Sequence, residues 1–318
     1  MTDENNPPEI DLASEVSRGF DEIEKFPSRL ERYRRAKERS SLMAEYLVGI
    51  GEYKLAEKIS TCGNWLLFFH YYTVGKVRLA AMNSCRKALL DPLCAMRRGA
   101  RQLKAYLDKF KTIKVAMPEL KASMVTFTVK NGSDLQERYE HLMGAIKSLN
   151  QRRKDSLRKK ASKSEWCKVF GDVGSFETTY SNKHGWHPHC HFIALHIDDI
   201  DQEKLSEEWK EITGDSFILD VRPLGHPDDP AKDFVEVFKY NLKFSSLAPD
   251  KNYEAYKILY GRRMIVSHGF FWGVKVPEDV SELLEGLPFI ELFYRWIPGA
   301  GYSYSDRLTF TDYQNRLG

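Results

Sequence analysis

The feature that most constrains the fold is the segment 185–195, where three histidines alternate at the start of an apolar run. Residues two apart on a strand point to the same face, so His189 and His191 can present two imidazoles to one ion. A single histidine on an apolar strand is most often a hydrogen-bonded core residue. Aligned imidazoles repel one another when protonated, so the triple favours a metal site over that interpretation.

A second strand is predicted at residues 175–180, which alternate in polarity and lead into a polar turn at 181–185. The two runs therefore predict a hairpin. Antiparallel pairing can place Glu177 on the face that carries the two histidines. A set of two imidazoles and one carboxylate with open positions suits Mn²⁺ or Mg²⁺ at a phosphate better than a closed zinc site.

The composition excludes several classes of protein. The chain has 318 residues, enough for one large domain or two smaller ones. No run of eighteen apolar residues occurs and the first residues do not resemble a signal peptide, so we expect a cytoplasmic protein with no membrane partner. Five cysteines are few and odd in number, which argues against a disulfide framework.

The formal net charge of +3 is small but unevenly distributed. Residues 147–163 contain eight Lys or Arg and one Asp, and residues 86–114 contain nine and two. Such a run is usually a solvated helix face, but beside a phosphate-directed metal site it favours binding of a polyanion. The candidate DNA-binding residues are Arg97, Arg98, Arg101, Arg152, Arg153 and Lys239.

Four regions are predicted along the chain. We expect a polar, disordered tail over 1–18, an α-rich basic region with possible DNA binding over 19–116, a core over 117–250, and a C-terminal extension packing on that core over 251–318. The helices predicted in the basic region lie at 29–58, 65–72, 77–81 and 93–110.

The predicted core alternates strands and helices. Strands are predicted at 122–130, 175–180, 187–195 and 217–222, with helices at 134–160, 201–212 and 232–244. This order predicts an α+β fold, with a mainly antiparallel central sheet, helices packed on one side, and an α-rich N-terminal region before it.

The last of these helices carries a further candidate set. Glu236 and Tyr240 are four residues apart, as are Lys239 and Lys243, so an acid and a phenol would share one face beside a basic edge. The spacing alone is equally typical of an exposed acid, a packed tyrosine and solvated lysines.

Four motifs in order resemble the rolling-circle replication initiators of small bacterial plasmids. They are the strand 125–131, the segment 177–180, the histidine segment 187–191, and Glu236-x-x-x-Tyr240-x-x-Lys243. Those initiators are HUH endonucleases, and the resemblance is to the group with one nucleophilic tyrosine and a glutamate one helical turn before it. It extends from about Cys62 to Met264.

The resemblance implies the roles of the metal ligands and the fold around them. His189 and His191 would be the metal-binding pair, Glu177 the third ligand, and Mn²⁺ or Mg²⁺ the cofactor. His187 lies at a position that varies in the family and ranks below them. Thr126 would belong to a core strand of the site in an HUH/RRM-like sheet, and Cys190 would point away from the ion into the core.

The resemblance also implies the chemistry. Tyr240 would be the nucleophile, Glu236 the general base that activates water at termination, and Lys243 a support for phosphate. The expected function is site- and strand-specific DNA nicking and rejoining through a 5′-phosphotyrosine. The expected partners are single-stranded or hairpin DNA at a plasmid origin, a host helicase and the replication machinery.

Three alternatives stay open. An HUH relaxase or single-strand transposase would share the chemistry. A non-catalytic, metal-containing DNA-binding protein would not need the phenol of Tyr240. A small-molecule metallohydrolase would make no use of the basic segments.

One departure from the family concerns cysteines. Relatives often carry a cysteine cluster with a Cys-Pro-x-Cys element before the first motif, which suggests zinc. Here Asp91 replaces one cysteine between Cys85 and Cys94, and Cys62 begins a Cys-Gly pair. The sequence leaves open a structural Zn²⁺ or a metal-free remnant and favours the remnant.

Overall fold

A computed structural model describes residues 21–159, 164–226, 228–277 and 287–305, so the predicted tail 1–18 lies outside the described residues. The chain forms two compact units, Met1–Arg101 with Pro277–Gly318, and Gln102–Val276. The strands are β1 (Asp21–Glu22), β2 (Trp65–Tyr71), β3 (Lys76–Met82), β4 (Lys121–Thr128), β5 (Val169–Ser181), β6 (Gly185–His196), β7 (Leu219–Pro223), β8 (Ile265–Gly269), β9 (Ile290–Ile297) and β10 (Gly301–Tyr304). The helices are α1 (Phe26–Gly49), α2 (Tyr53–Thr61), α3 (Pro92–Ala116), α4 (Leu135–Leu157), α5 (Gln202–Thr213), α6 (Pro230–Phe238), α7 (Tyr240–Ser245) and α8 (Pro249–Leu259).

The second unit is built on a five-stranded sheet in the order β7-β4-β6-β5-β8. Every pair of neighbours in it is antiparallel. This confirms the α+β class, the antiparallel central sheet and the hairpin predicted around the histidines. β5 and β6 are longer than the predicted strands, and β5 is extended mainly at its start, where residues 169–174 are mostly buried and show little alternation.

Two helices of this unit begin where their sequences predict. The Asp134 carboxylate accepts a hydrogen bond from the Glu137 amide at the start of α4, and Asp201 caps α5 in the same way. One apolar stripe of α4 is buried, including Leu142 and Leu149. Phe127 of β4 packs against Trp209 of α5 with ring centroids 4.7 Å apart. These contacts hold helices against the sheet face that also carries Cys190, which is buried.

The first unit contains a second antiparallel sheet, in the order β1-β3-β2-β9-β10. The helices predicted at 65–72 and 77–81 are wrong, because these segments are the strands β2 and β3. Bulky aromatic residues dominate the first segment and favour a pleated surface over a helix. Gly75, at φ 62°, provides the left-handed backbone of the turn that joins the two strands.

The predicted helix 29–58 is divided into α1 and α2. Gly51 adopts φ 82° between them, which ends the helical path. Phe26 and Tyr33 of α1 pack on Phe68 of β2, with ring centroids at 4.9 and 6.1 Å. The sequence predicted only helices in this region. In the structure, the core of the first unit is formed by helices packed on a sheet.

The predicted extension 251–318 is divided between the two units. β8 is an edge strand of the sheet in the second unit, whereas β9 extends the sheet of the first unit by pairing with β2, and β10 pairs with β9. Strands far apart in sequence share that sheet, and local patterns do not reveal such pairing. Among the described residues, no helix combines the length and apolar character needed to span a membrane.

Candidate metal centre and nucleophile

The register of the β5–β6 hairpin brings the predicted metal ligands together. Glu177 lies directly opposite His189, and Ser175 opposite His191, so the carboxylate and both imidazoles project from one face. The Nε2 atoms of His189 and His191 lie 3.2 and 3.6 Å from Glu177 Oε2. One ligand atom from each of the three residues lies within 4.8 Å of the other two. The structure therefore forms the cluster that the sequence predicts.

The carboxylate of this cluster is fully buried and only partly satisfied. The Lys243 ammonium and His189 contact Oε2 of Glu177, while Oε1 is buried and has no hydrogen-bond partner among the described residues. Burial raises the pKa of Glu177, but the His189 hydrogen bond and the charge of Lys243 outweigh it and lower the pKa to about 2. A buried, ionised oxygen with no donor beside it is suited to a cation.

The second nitrogen of each imidazole is held by a neighbouring group. His191 Nδ1 lies 2.9 Å from Thr126 Oγ1 on β4, and His189 Nδ1 lies 3.3 Å from the His187 carbonyl. These contacts leave both Nε2 atoms directed at Glu177, as outer contacts do in metal sites. Burial lowers the pKa of His191 to about 4, so its ring is neutral and able to coordinate near neutral pH.

His187 has a different partner. Its Nδ1 lies 2.6 Å from Asn131 Oδ1 at the end of the first motif. Burial and the neighbouring His189 lower the pKa of this half-buried histidine. The third histidine of the triple is thus engaged with a loop and does not belong to the cluster with Glu177.

The predicted helix 232–244 is broken at Lys239 into α6 and α7. α7 packs on β5, which places Lys243 on Glu177. Tyr240, the first residue of α7, has no exposed surface, and its hydroxyl donates to Gln102 Oε1 at 3.5 Å. Gln102 belongs to α3, 138 residues earlier, and no sequence signal linked it to the phenol.

Glu236 and Lys239 form an ion pair of 2.6 Å on the other side of this break. The negative charge of Glu236 acts on His191, raising its pKa against the larger effect of burial. Glu236 is therefore near the histidine cluster without belonging to it. The structure brings Glu177, His189, His191 and Lys243 into contact, and the contact of Tyr240 is with Gln102 instead.

The predicted DNA-binding arginines lie on two helices. Arg97, Arg98 and Arg101 are on α3, where Arg98 is exposed. Arg152 and Arg153 are on α4, and Arg152 forms a salt bridge of 2.8 Å with Glu211 of α5. Binding of DNA by these residues stays a prediction.

Comparisons with known proteins agree with the motifs. A family described as "Replication protein" matches residues 76–286. The "Protein rep" of Staphylococcus aureus is 24% identical over 234 residues, which cover 70% of this chain and 97% of that protein. No solved structure matches. Since the family match covers more than half of the sequence, the chain belongs to this replication-protein family, and the predicted resemblance to plasmid replication initiators is confirmed.

Proposed function

We propose that the protein is a metal-dependent nickase and strand transferase that starts rolling-circle replication of a plasmid. The observation that carries this proposal is the cluster of Glu177, His189 and His191 beside Lys243, with the Glu177 Oε1 atom buried and unpaired. A catalytic cluster of this kind fits a phosphodiester, because the scissile group is an anion that must be held and polarised.

The residues present fit a divalent cation. Two imidazoles and one carboxylate make a mixed nitrogen and oxygen set that suits Mn²⁺ or Mg²⁺ with positions left for substrate. Such an ion, when bound, polarises a phosphoryl oxygen and stabilises the charge that develops on it.

Tyr240 is the proposed nucleophile. Its oxygen forms a bond to phosphorus while the bond to the 3′ oxygen breaks; the phenol loses its proton and the leaving 3′ oxygen gains one. The products are a 5′-phosphotyrosine and a free 3′-OH, which can prime synthesis. A protonated phenol is a weak nucleophile, so the proton must leave the hydroxyl as the bond to phosphorus forms.

Attack requires the phenol to leave its present partner. The hydrogen bond to Gln102 is 3.5 Å long, at the weak end of the range, so breaking it costs little. The helix break at Lys239 lies next to Tyr240 and offers a point of rotation between α6 and α7. We propose that DNA binding releases the phenol by a movement at this break.

Glu236 is the proposed general base for termination. Its side chain is 35% exposed and forms an ion pair with Lys239, so water can reach it. A carboxylate there can take a proton from water as the water attacks a second phosphodiester. The protein would then end a cycle with a single tyrosine.

The test uses single-stranded oligonucleotides that tile the origin beside the gene. The full chain with Mn²⁺ should nick one strand at one site and yield a covalent adduct, located at Tyr240 by mass spectrometry. Tyr240→Phe should lose nicking and adduct while DNA binding survives. Tyr260→Phe, which changes an exposed tyrosine on the same unit, should behave as the wild type.

Three results would contradict the proposal. Unchanged nicking by Tyr240→Phe would exclude this phenol as the nucleophile. Binding of the origin without cleavage, in the presence of Mn²⁺ or Mg²⁺, would instead favour the non-catalytic DNA-binding protein. Nicking at a transfer origin or a transposon end, and not at the replication origin, would favour a relaxase or transposase.

A further inference from the structure

The first unit contains a second cluster of metal-binding groups, formed by three cysteines and one aspartate. One ligand atom from each of Cys62, Cys85, Asp91 and Cys94 lies within 4.8 Å of the other three. The four residues come from the end of α2, the segment after β3 and the start of α3. Residues up to 32 positions apart thus converge on one small volume.

The spacing of the sulfurs matches a tetrahedral ion rather than a disulfide. Cys62 Sγ and Cys85 Sγ each lie 3.6 Å from Cys94 Sγ. A disulfide bond would be about 2.05 Å long. Ligands about 2.3 Å from zinc at tetrahedral angles are about 3.8 Å apart, close to the separation seen here.

Backbone amides donate to these sulfurs. The Cys85 amide donates to Cys62 Sγ at 3.3 Å, and the Lys87 amide donates to Cys85 Sγ at 3.4 Å. Arg86, between them, adopts φ 58°, an uncommon conformation for a residue other than glycine. Such donors stabilise thiolates over thiols and orient them as ligands.

A buried lysine supplies positive charge. Lys37 is 1% exposed, and its ammonium donates to the Ser60 and Cys62 carbonyls at 2.6 Å each. Zinc with three thiolates and one carboxylate carries two net negative charges, and a buried ammonium next to it offsets one of them. In a core without a metal, an apolar side chain in place of Lys37 would avoid the free-energy cost of burying a charge.

Asp91 has one role that needs no metal. Its Oδ1 accepts from the Cys94 amide at 2.8 Å and caps α3, and its Oδ2 accepts from Ser40 at 3.0 Å. A helix cap is usually exposed, however, whereas this carboxylate is 0% exposed among three thiols. The cap orients the carboxylate, and each oxygen keeps a lone pair for an ion.

The tight packing around Cys62 favours a fixed site. Gly63 adopts φ 66°, and a Cβ atom added there would lie 2.3 Å from Leu93 Cδ1. The Gly63 carbonyl accepts from the Tyr302 hydroxyl at 2.7 Å. Cys62 and Gly63 are thus held between α3 and β10, the last strand of the sheet in the first unit.

We propose that Cys62, Cys85, Asp91 and Cys94 form a closed structural zinc site, in which Asp91 takes the place of a fourth cysteine. All four positions of a tetrahedral ion are filled by the protein, and none is left for substrate. The ion ties α2, β3 and α3 together, so its contribution is to the stability of the first unit.

The test is metal analysis of the full chain purified from a zinc-containing medium. Wild type and Cys167→Ser, which changes a cysteine outside the cluster, should each hold one tightly bound zinc ion; Cys94→Ser should hold none. Replacement of zinc by Co²⁺ should give a thiolate-to-cobalt charge-transfer band. The cluster of Glu177 and two histidines contains no thiolate and cannot produce that band.

Asp91 is tested by a pair of variants. Asp91→Ala should weaken zinc binding by about tenfold or more, and Asp91→Cys should restore it or exceed the wild type. The Co²⁺ spectrum of the wild type tests the site without any substitution. The proposal therefore stays testable even if a variant fails to fold. Absence of the thiolate-to-cobalt band in the wild type would overturn it, and unchanged zinc affinity in Asp91→Ala would remove Asp91 from the site.

Discussion

The two candidate metal clusters of this protein differ in almost every chemical respect. The cluster in the second unit has two imidazoles and a carboxylate, one of whose oxygens is unpaired. The cluster in the first unit has three sulfurs and a carboxylate, whose oxygens and sulfurs receive hydrogen bonds from the surrounding chain. A mixed imidazole and carboxylate set with open positions suits an ion that exchanges ligands, such as Mn²⁺, whereas thiolates favour zinc and hold it tightly.

The difference is also one of construction. Glu177 and the two histidines lie on one hairpin, whose strand register alone makes them converge. The cysteine cluster joins segments separated in sequence, so a metal there would link α2, the segment after β3 and α3. An open site on a rigid sheet is suited to chemistry, and a closed site between elements is suited to stability.

The largest effect is expected from the histidine pair. His189→Ala combined with His191→Ala should lower the nicking rate by about 10³-fold or more, since a bound ion contributes several kcal/mol to the transition state. His187→Ala is the matched control and should stay within about tenfold of the wild type, because its partner is Asn131. Rates on a radiolabelled origin strand provide the measurement.

The same double variant should keep its zinc and its melting temperature within a few degrees, because the two clusters are chemically independent. Loss of zinc in this variant would contradict the independence of the two clusters. Full nicking activity without the two imidazoles would contradict a catalytic role for the cluster in the second unit.

Metal removal should separate the clusters by a second criterion. A mild chelator should stop nicking and leave the melting temperature nearly unchanged, with activity restored by Mn²⁺. Release of zinc with a mercurial that binds thiolates should lower the melting temperature of the first unit by about 10 °C or more, since structural zinc contributes folding free energy. Calorimetry with activity assays in parallel gives both quantities. A shared response to the mild chelator would contradict the distinction.

How much of this could be foreseen differs between the clusters. The Glu177 and histidine cluster could be predicted, because strand alternation and a short turn fix which side chains share a face. The family resemblance named Cys62, Cys85, Asp91 and Cys94 as a possible set but favoured a metal-free remnant, since their convergence depends on the sheet of the first unit, where two strands were predicted as helices. The burial of Tyr240 against Gln102 also escaped prediction, because the partner is 138 residues away in the sequence.

Replacement of Glu236 should give a smaller and more specific effect. Glu236→Gln should nick within a few-fold of the wild type but lose termination by about 10²-fold or more, as expected for loss of a general base. The expected products are longer than one plasmid unit. Glu140→Gln, at a surface ion pair with Arg262, is the control and should terminate normally. Equal loss of nicking and termination would place Glu236 among the residues that hold the metal. The cluster of Glu177, His189 and His191, here called the open cluster, would then include a fourth residue.

The smallest effect concerns acid stability of the open cluster. Burial holds the pKa of His191 at about 4, against 6.5 for a free imidazole. Between these values the unfolded chain binds a proton that the folded chain does not, so folding stability must fall as the pH drops from 7 to 5. Glu177, whose pKa is lowered to about 2, adds to this loss only below its unshifted value of 4.5.

Without added Mn²⁺ or Mg²⁺, His191→Gln should therefore lose about 1–2 kcal/mol less of its unfolding free energy than the wild type over this interval. Urea denaturation at pH 7, 6 and 5 measures the difference, with the exposed His184→Gln as a control that should follow the wild type. Coincident profiles for His191→Gln and wild type would mean that this ring already accepts a proton in the folded state. A protonated ring cannot coordinate a metal, so proton binding would compete with metal binding at His191. The open cluster would then lack the preformed imidazole that distinguishes it from the thiolate cluster.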